Sequence, residues 1–369
     1  MSTRTVMTVC AAIVLVLAST FGIRADERTL LIELEPRSEA LPTGLSASGA
    51  VVSGGFNNGS GGFYWMPTTG VIFAGGVQAA GVSRDGHTIV GWAKDSGGIQ
   101  QAGIWMRGTE WRLLGSFAGS AGPCDTSLSQ GTGVNRDGQT VVGFAWNGCA
   151  GAHAFRWQES TGMVDLGSTV QGRSSRALGV SADGMVVVGD QTTAEGFNQG
   201  ARWAGGRQEL MAGPEGPAGS ALAANQDGSI VVGRVCVPAS GRVGDQRAWI
   251  WKPQGGTTCL SAPRRIDSPG PPIIVEAAAT SDDGQVIGGS QSVGGSADSN
   301  AILWIGGQPT YLKEFLQANG LPNAFRTWIN TGTISGISPD GRVLVGWGAA
   351  LGGFRGYMVI LGSSRVIPS

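Results

Sequence analysis

The sequence predicts an all-β fold, a seven-bladed β-propeller with four-stranded blades whose last blade is closed by a strand from the N-terminus. Three observations predict it. A hairpin unit recurs seven times along the chain; a strand ending in a large aromatic ring follows it in most copies; and a surplus strand at the start matches a missing one at the end.

The hairpin unit reads small residue, apolar residue, Ser or Asn, any residue, Asp, Gly, a β-branched run, then Gly, as in Gly179-Val180-Ser181-Ala182-Asp183-Gly184 followed by Val186-Val187-Val188-Gly189. Its seven turn glycines are Gly49, Gly86, Gly138, Gly184, Gly228, Gly284 and Gly341. Three residues upstream every copy has Ser or Asn, and five downstream every copy has Gly. A short hydroxyl or amide side chain bonds backbone groups two residues on, and Asp-Gly tolerates the positive φ of a tight hairpin. The Val/Ile runs favour a pleated strand. Each copy is therefore strand, turn, strand. The turn aspartates Asp85, Asp137, Asp183, Asp227, Asp283 and Asp340, with Ser48 in the first copy, read as turn chemistry rather than as calcium ligands or catalytic acids.

Strands ending in Trp65, Trp105, Trp157, Trp203, Trp251 and Trp304 follow the first six hairpins, and the seventh has Gly356-Tyr357-Met358-Val359 instead. One large ring per unit fills the gap between stacked sheets. A further short strand in several copies, such as 162–166 and 111–114, brings the count to four per unit.

The segment Ala152-His153-Ala154-Phe155-Arg156-Trp157, together with the Ser-x-Asp-Gly-x-x-Val-Val-Gly units, resembles the HAF-repeat family of exported bacterial proteins, over residues 45–361. The resemblance implies a secreted, β-propeller-like protein. One copy carries the literal tripeptide; the others hold Gly61, Gln101, Gln199, Arg247, Asn300 or Arg355 at the His position. A position so variable is expected at the surface, and His153 is not a catalytic candidate.

Residues 28–35 alternate as a strand ended by Pro36, without a Ser-x-Asp-Gly turn before them. The seventh copy stops before a fourth strand, so the first strand is expected to complete it and remove the exposed sheet edges. Successive turn glycines lie 37, 52, 46, 44, 56 and 57 residues apart. A β-helix needs short, nearly constant coils, whereas propeller blades tolerate long loops. The small residues Gly44, Gly81, Gly133, Gly179, Ala223, Ala279 and Gly336 suit innermost strands crowding a central axis. One helix is expected over 311–319, with Leu312, Phe315 and Leu316 on one face, and the proline-rich stretches 213–217 and 263–272 read as loops. A transmembrane barrel is disfavoured for want of long alternating strands with aromatic girdles.

Of the 369 residues 64 are Gly and 14% are charged, with a net charge of −1, so nothing forms the basic footprint of a nucleic-acid binder. Residues 1–25 read as a signal peptide: Arg4 at the positive end, an apolar core over 6–18, and Ile23-Arg24-Ala25 before the cut. Cys10 precedes most of that core, where a lipid-attachment cysteine would follow it. The expected mature chain, 26–369, is one soluble β-propeller domain in the periplasm or outside the cell, without stable membrane insertion and as a monomer. It keeps Cys124, Cys149, Cys236 and Cys259, an even count that suggests two disulfides in an exported protein. Cys124 with Cys149 joins the open end of one hairpin. Cys236 with Cys259 is the default for the rest but flanks strands separated by a third, which demands loop excursions.

Histidine occurs twice, at His87 and His153, and no Cys-x-x-Cys, His-Glu-x-x-His or Gly-x-Ser-x-Gly pattern exists, so no metal, cofactor or catalytic residue is assigned. The connections 56–61, 93–100, 144–152, 235–245 and 290–300 differ among copies and would emerge on one face, with Trp92, Phe144, Asp190, Arg234 and Trp347 at equivalent strand ends. Loops on a rigid scaffold carry binding residues. The expected role is non-enzymatic: binding of a glycan or of an envelope or extracellular protein, or a surface-scaffold role. A propeller glycoside hydrolase or polysaccharide lyase is the alternative, and it needs two carboxylates near the axis; the aspartates placed by the repeat all lie in turns away from it.

Overall fold

The computed structural model describes residues 28–34, 39–237, 245–263, 273–293 and 299–363. The signal-peptide reading of 1–25, Cys10 and the start at Asp26 lie outside the described residues, as do Glu35 and Pro36. Seven four-stranded antiparallel blades form a ring. Blade one is Ala40–Leu45, Val52–Phe56, Gly62–Met66 and Gly70–Gly75, in that order from the axis outward. The innermost strands of blades two to six are Gln78–Val82, Ser129–Val134, Ser175–Val180, Ala221–Ala224 and Ile273–Thr280. Blade seven takes Thr333–Ile337, Val343–Ala350 and Gly353–Ile360 from the C-terminal end, and Leu30–Leu34 pairs antiparallel with the last of these, from Leu30 opposite Ile360 to Leu34 opposite Gly356. Head thus meets tail as the surplus strand predicts.

The hairpins fold as their side chains dictate. In blade two the Ser83 hydroxyl accepts from the backbone N–H of Thr88 at 3.0 Å and donates to Asp85 Oδ1, which accepts from the N–H of His87 at 3.0 Å. Ser181 with Asp183, Ser281 with Asp283 and Ser338 with Asp340 repeat the arrangement. The turn glycines all have φ between 68° and 81°, where a side chain would be strained. The second invariant Gly has a different cause. The innermost strand of every blade carries a β-bulge, and the Gly five residues past each turn lies opposite it. A Cβ on Gly91, Gly143 or Gly189 would overlap the carbonyl oxygen of Gln78, Gln130 or Arg176.

The core is not central but divided among the seams. Seven buried clusters each join two neighbouring blades: Trp105 of blade two meets Tyr64 of blade one, Trp157 meets Val90 and Ile104 of blade two, and Trp203 meets Val142 of blade three. The rings that end the third strands are these wedges. Between blades six and seven, where the repeat offers Tyr357 instead of Trp, the helix Leu312–Ala318 and the following loop supply the bulk. Leu312, Phe315 and Leu316 are buried as their spacing predicts, and Phe325, Trp328 and Tyr357 meet edge to face at 5.0–5.7 Å. Trp328 also donates its indole N–H to Glu33 of the closing strand at 3.1 Å, and Arg355 pairs with the same carboxylate.

Three details depart from the expected plan. The stretch 213–217 includes part of a small hairpin, Ala212–Gly213 with Gly216–Pro217, rather than a plain loop. Blades five and six are not separate sheets, because Arg234 pairs with Glu276 across the seam. Finally, Cys236–Cys259 is bridged as Cys124–Cys149 is, with Cα atoms 5.6 Å and 4.7 Å apart. The expected obstacle, the intervening strand Arg247–Lys252, is bypassed by a bulge between Gly233 and Cys236, with Val235 at φ 65°, that carries the fully buried Cys236 over the strand's end.

Candidate recognition face

The ring has two ends, and the unit fixes what each presents. At the turn end, the unspecified residue between Ser or Asn and Asp points toward the axis. Arg84 of blade two reaches across to Asp282 of blade six with two hydrogen bonds of 2.7 and 2.8 Å, and Arg136 of blade three donates to Gln226 of blade five at 2.7 Å. Consecutive turns are also stitched by backbone bonds such as Asp85 N–H to the Arg136 carbonyl and Arg136 N–H to the Ala182 carbonyl. An axial cavity of about 210 Å³ lies between these bridges and the bulges. Its walls are the small residues Gly44, Gly81, Gly133, Gly179, Ala223, Ala279 and Gly336, as expected of strands crowding an axis, with Thr43, Thr132 and Ser335. Those three hydroxyls donate to the carbonyls of Ala79, Ala177 and Pro42 in the next blade, so they clamp the ring rather than face a ligand. The turn carboxylates are likewise consumed by their own backbone.

The opposite mouth is different. The residue after the second invariant Gly faces the next blade, where it meets the residue five positions before that blade's turn Ser or Asn. In blade three Phe144 lies under the guanidinium of Arg176, 5.3 Å from the ring centroid. Asp190 of blade four bonds Ser220 of blade five, and Arg234 of blade five bonds Glu276 of blade six at 3.0 Å. Arg176 and Asp190 are also neighbours across their own hairpin. Phe144, Arg176, Asp190, Ser220, Arg234 and Glu276 therefore form one arc spanning the seams from blade three to blade six.

Asp190 is only 4% exposed. Burial pushes its carboxyl above the ordinary range, against the pull of the Ser220 hydrogen bond and of the Arg176 and Arg234 charges. A buried acid whose charged form is disfavoured lowers stability at neutral pH, and such groups concentrate at working sites. By contrast His153 shares a hydrogen bond of 2.9 Å with Asp165, which raises the imidazole pKa; it is half-exposed on the rim of blade three and touches nothing at the mouth.

Of the five residues expected at this face, Phe144, Asp190 and Arg234 come together. Trp92 and Trp347 occupy the equivalent place in blades two and seven, opposite Gln78 and Thr333, half-buried and outside the arc; Trp347 packs edge-on against Phe354 at 5.8 Å. The loops 235–245 and 290–300 lie partly outside the described residues. Sequence reasoning missed Arg176, Ser220 and Glu276, although counting five back from Ser181, Asn225 and Ser281 reaches each. It also placed the aspartates of the repeat in turns away from the axis and, apart from Asp190, assigned no carboxylate to the mouth. Glu276, on the innermost strand of blade six, adds a second carboxylate there beside Asp190 on the second strand of blade four. No group of three or more His, Cys, Asp or Glu side chains that could hold a metal occurs among the described residues.

No family model and no curated protein matches this sequence. Among solved structures, the fold is similar to the GH74 xyloglucanase from Xanthomonas campestris at 12% identity and a TM-score of 0.54, over 89% of this chain and 53% of that one, about half its length. The β-propeller domain of the Trilobed protease from Pyrococcus furiosus matches at 11% identity and 0.48, over 89% and 99%. TolB from Acinetobacter baumannii matches at 12% and 0.43, over 95% and 68%. Identities this low speak to the fold alone: the protein is a β-propeller.

Proposed function

We propose that this chain is a non-enzymatic binding propeller working outside the cytoplasm, whose mouth away from the hairpin turns holds a glycan. An envelope or extracellular protein is the other partner class. The observation that carries the reading is the arc of Phe144, Arg176, Asp190, Arg234 and Glu276, which sets a ring and both signs of charge on rigid strand ends around the axis. Strands hold such groups more precisely than loops do. Two disulfides favour an oxidising compartment, in keeping with the signal-peptide reading of 1–25 and the HAF-repeat resemblance. Retention of the mature chain on a glycan array tests it. Replacing Trp92 and Trp347 with Ala, which flank the arc, is expected to abolish retention without unfolding; unchanged retention removes the two rings from the binding face.

A second reading, hydrolysis or elimination on a polysaccharide, is favoured by one specific observation. Asp190 and Glu276 are two carboxylates at one mouth, one buried and one paired with Arg234, and cleavage of a polysaccharide by this route needs two such groups. Product release from polysaccharide that both Asp190→Asn and Glu276→Gln abolish would establish it and displace the binding reading.

A further inference from the structure

We propose that the ligand of this mouth is an acidic oligosaccharide, a uronate-bearing chain whose carboxylate is taken by Arg176 and Arg234; the proposal rests on the glycan reading above. Formally Arg176, Asp190, Arg234 and Glu276 sum to zero. Their exposure does not. Asp190 is 4% exposed and the Glu276 side chain 31%, whereas the Arg234 side chain is 41% exposed and Arg176 is open to solvent. A ligand arriving at the mouth meets both guanidinium groups, with Asp190 withdrawn behind them and Glu276 already engaged by Arg234.

The two arginines are also held in a manner that leaves them available. The Arg176 guanidinium lies over the Phe144 ring at 5.3 Å, and its exposed side chain donates no hydrogen bond to the described residues, so its N–H groups are free to take a ligand. Arg234 gives one nitrogen to Glu276. Its backbone is fixed by the bulge before Cys236, by the bond from its N–H to the Ser220 carbonyl at 3.1 Å, and by the Trp249 indole N–H donating to its carbonyl at 2.8 Å. Planar forks of this kind match a carboxylate with two parallel hydrogen bonds, and stacking lowers the ordering entropy that recognition costs. Arg176 stands opposite Asp190 on blade four and Arg234 opposite Glu276 at the seam of blades five and six, which puts both on one side of the mouth rather than on opposite rims. Half-buried aromatic rings at the same level in blades two and seven favour a pyranose, whose C–H face packs on an aromatic face, over an acidic peptide.

The test is calorimetric titration of the mature chain with a uronate tetrasaccharide, a sulfated tetrasaccharide on a neutral backbone, the corresponding neutral tetrasaccharide and an oligoglutamate peptide. Arg176→Ala is compared with Arg112→Ala, an exposed arginine that pairs with Glu159 outside the mouth, and Arg176→Gln stands in should the alanine variant not fold. The expected result is uronate binding that weakens at least tenfold in the Arg176 variant and is unchanged by Arg112→Ala, with the neutral chain bound at least tenfold more weakly than the uronate. Equal binding of neutral and uronate chains, unaffected by Arg176, overturns the acidic assignment while leaving the glycan reading intact. Preference for the sulfated chain over the uronate overturns the carboxylate. Binding of oligoglutamate alone, or of no saccharide, overturns both.

Discussion

Gly189 and Asp190 are adjacent, and their demands are opposite in kind. A methyl group on Gly189 would run into the Arg176 carbonyl where the innermost strand bulges, so Gly189→Ala must push two strands apart. We expect it to cost about 3 kcal/mol, the upper end for overpacking, read as a shift in the denaturant midpoint. Asp190 lowers stability instead. Its folded pKa lies above the ordinary value, so the favourable contribution of the protonated form is fully present below about pH 3.9 and is lost as pH rises through the raised value. Asp190→Asn is therefore expected to be more stable than the parent at pH 7, with the advantage vanishing in acid; thermal melts across pH 3–8 would show a constant difference if burial were not the cause. The turn aspartates were legible in the sequence because each acts within four residues of itself. Arg176 and Glu276 were not, because their partners Phe144 and Arg234 lie in other blades and meet them only after the ring forms.

At the scale of the element, the hairpin was readable and its neighbour relations were not. Strand, turn and strand follow from Ser or Asn, Asp and Gly at fixed spacing, and the aromatic wedge follows from its recurrence. Trp203, 6% exposed and packed on Val142 and Ala177, should cost about 3–5 kcal/mol when replaced by Ala, measured by chemical denaturation. The bulge at Val235 had no signal, since no turn residue marks it, and this is why the Cys236–Cys259 bridge looked strained on paper. Serine at both positions is expected to lower stability by about 3 kcal/mol, in line with the loop the bridge closes. It should also raise hydrogen exchange at Arg234, whose backbone the bulge aims; protection there unchanged would show that Trp249 and the Ser220 carbonyl hold it unaided.

Across the whole molecule, sevenfold repetition fixed the blade count, and the unequal ends fixed the closure. The unspecified position of the repeat hid a second device, the Arg84–Asp282 bridge that ties blade two to blade six over the axis. Partly buried and bidentate, it should show a coupling of about 1–2 kcal/mol in a double-mutant cycle with Ala, against nearly nothing for the exposed Arg112–Glu159 pair. Removing Leu30–Leu34 would leave the strand Gly353–Ile360 with an unpaired edge, and the shortened chain is expected to self-associate in light scattering.

Because Leu30 faces Ile360, the earliest described strand waits for a partner made more than 320 residues later. Blades one to six can assemble as they are synthesised, while Leu30–Leu34 stays without its blade until nearly the whole polypeptide exists. A circular permutant that begins at residue 39 and carries 28–34 after residue 363 would turn that distant appointment into a local hairpin, and its refolding should be faster than that of the natural order.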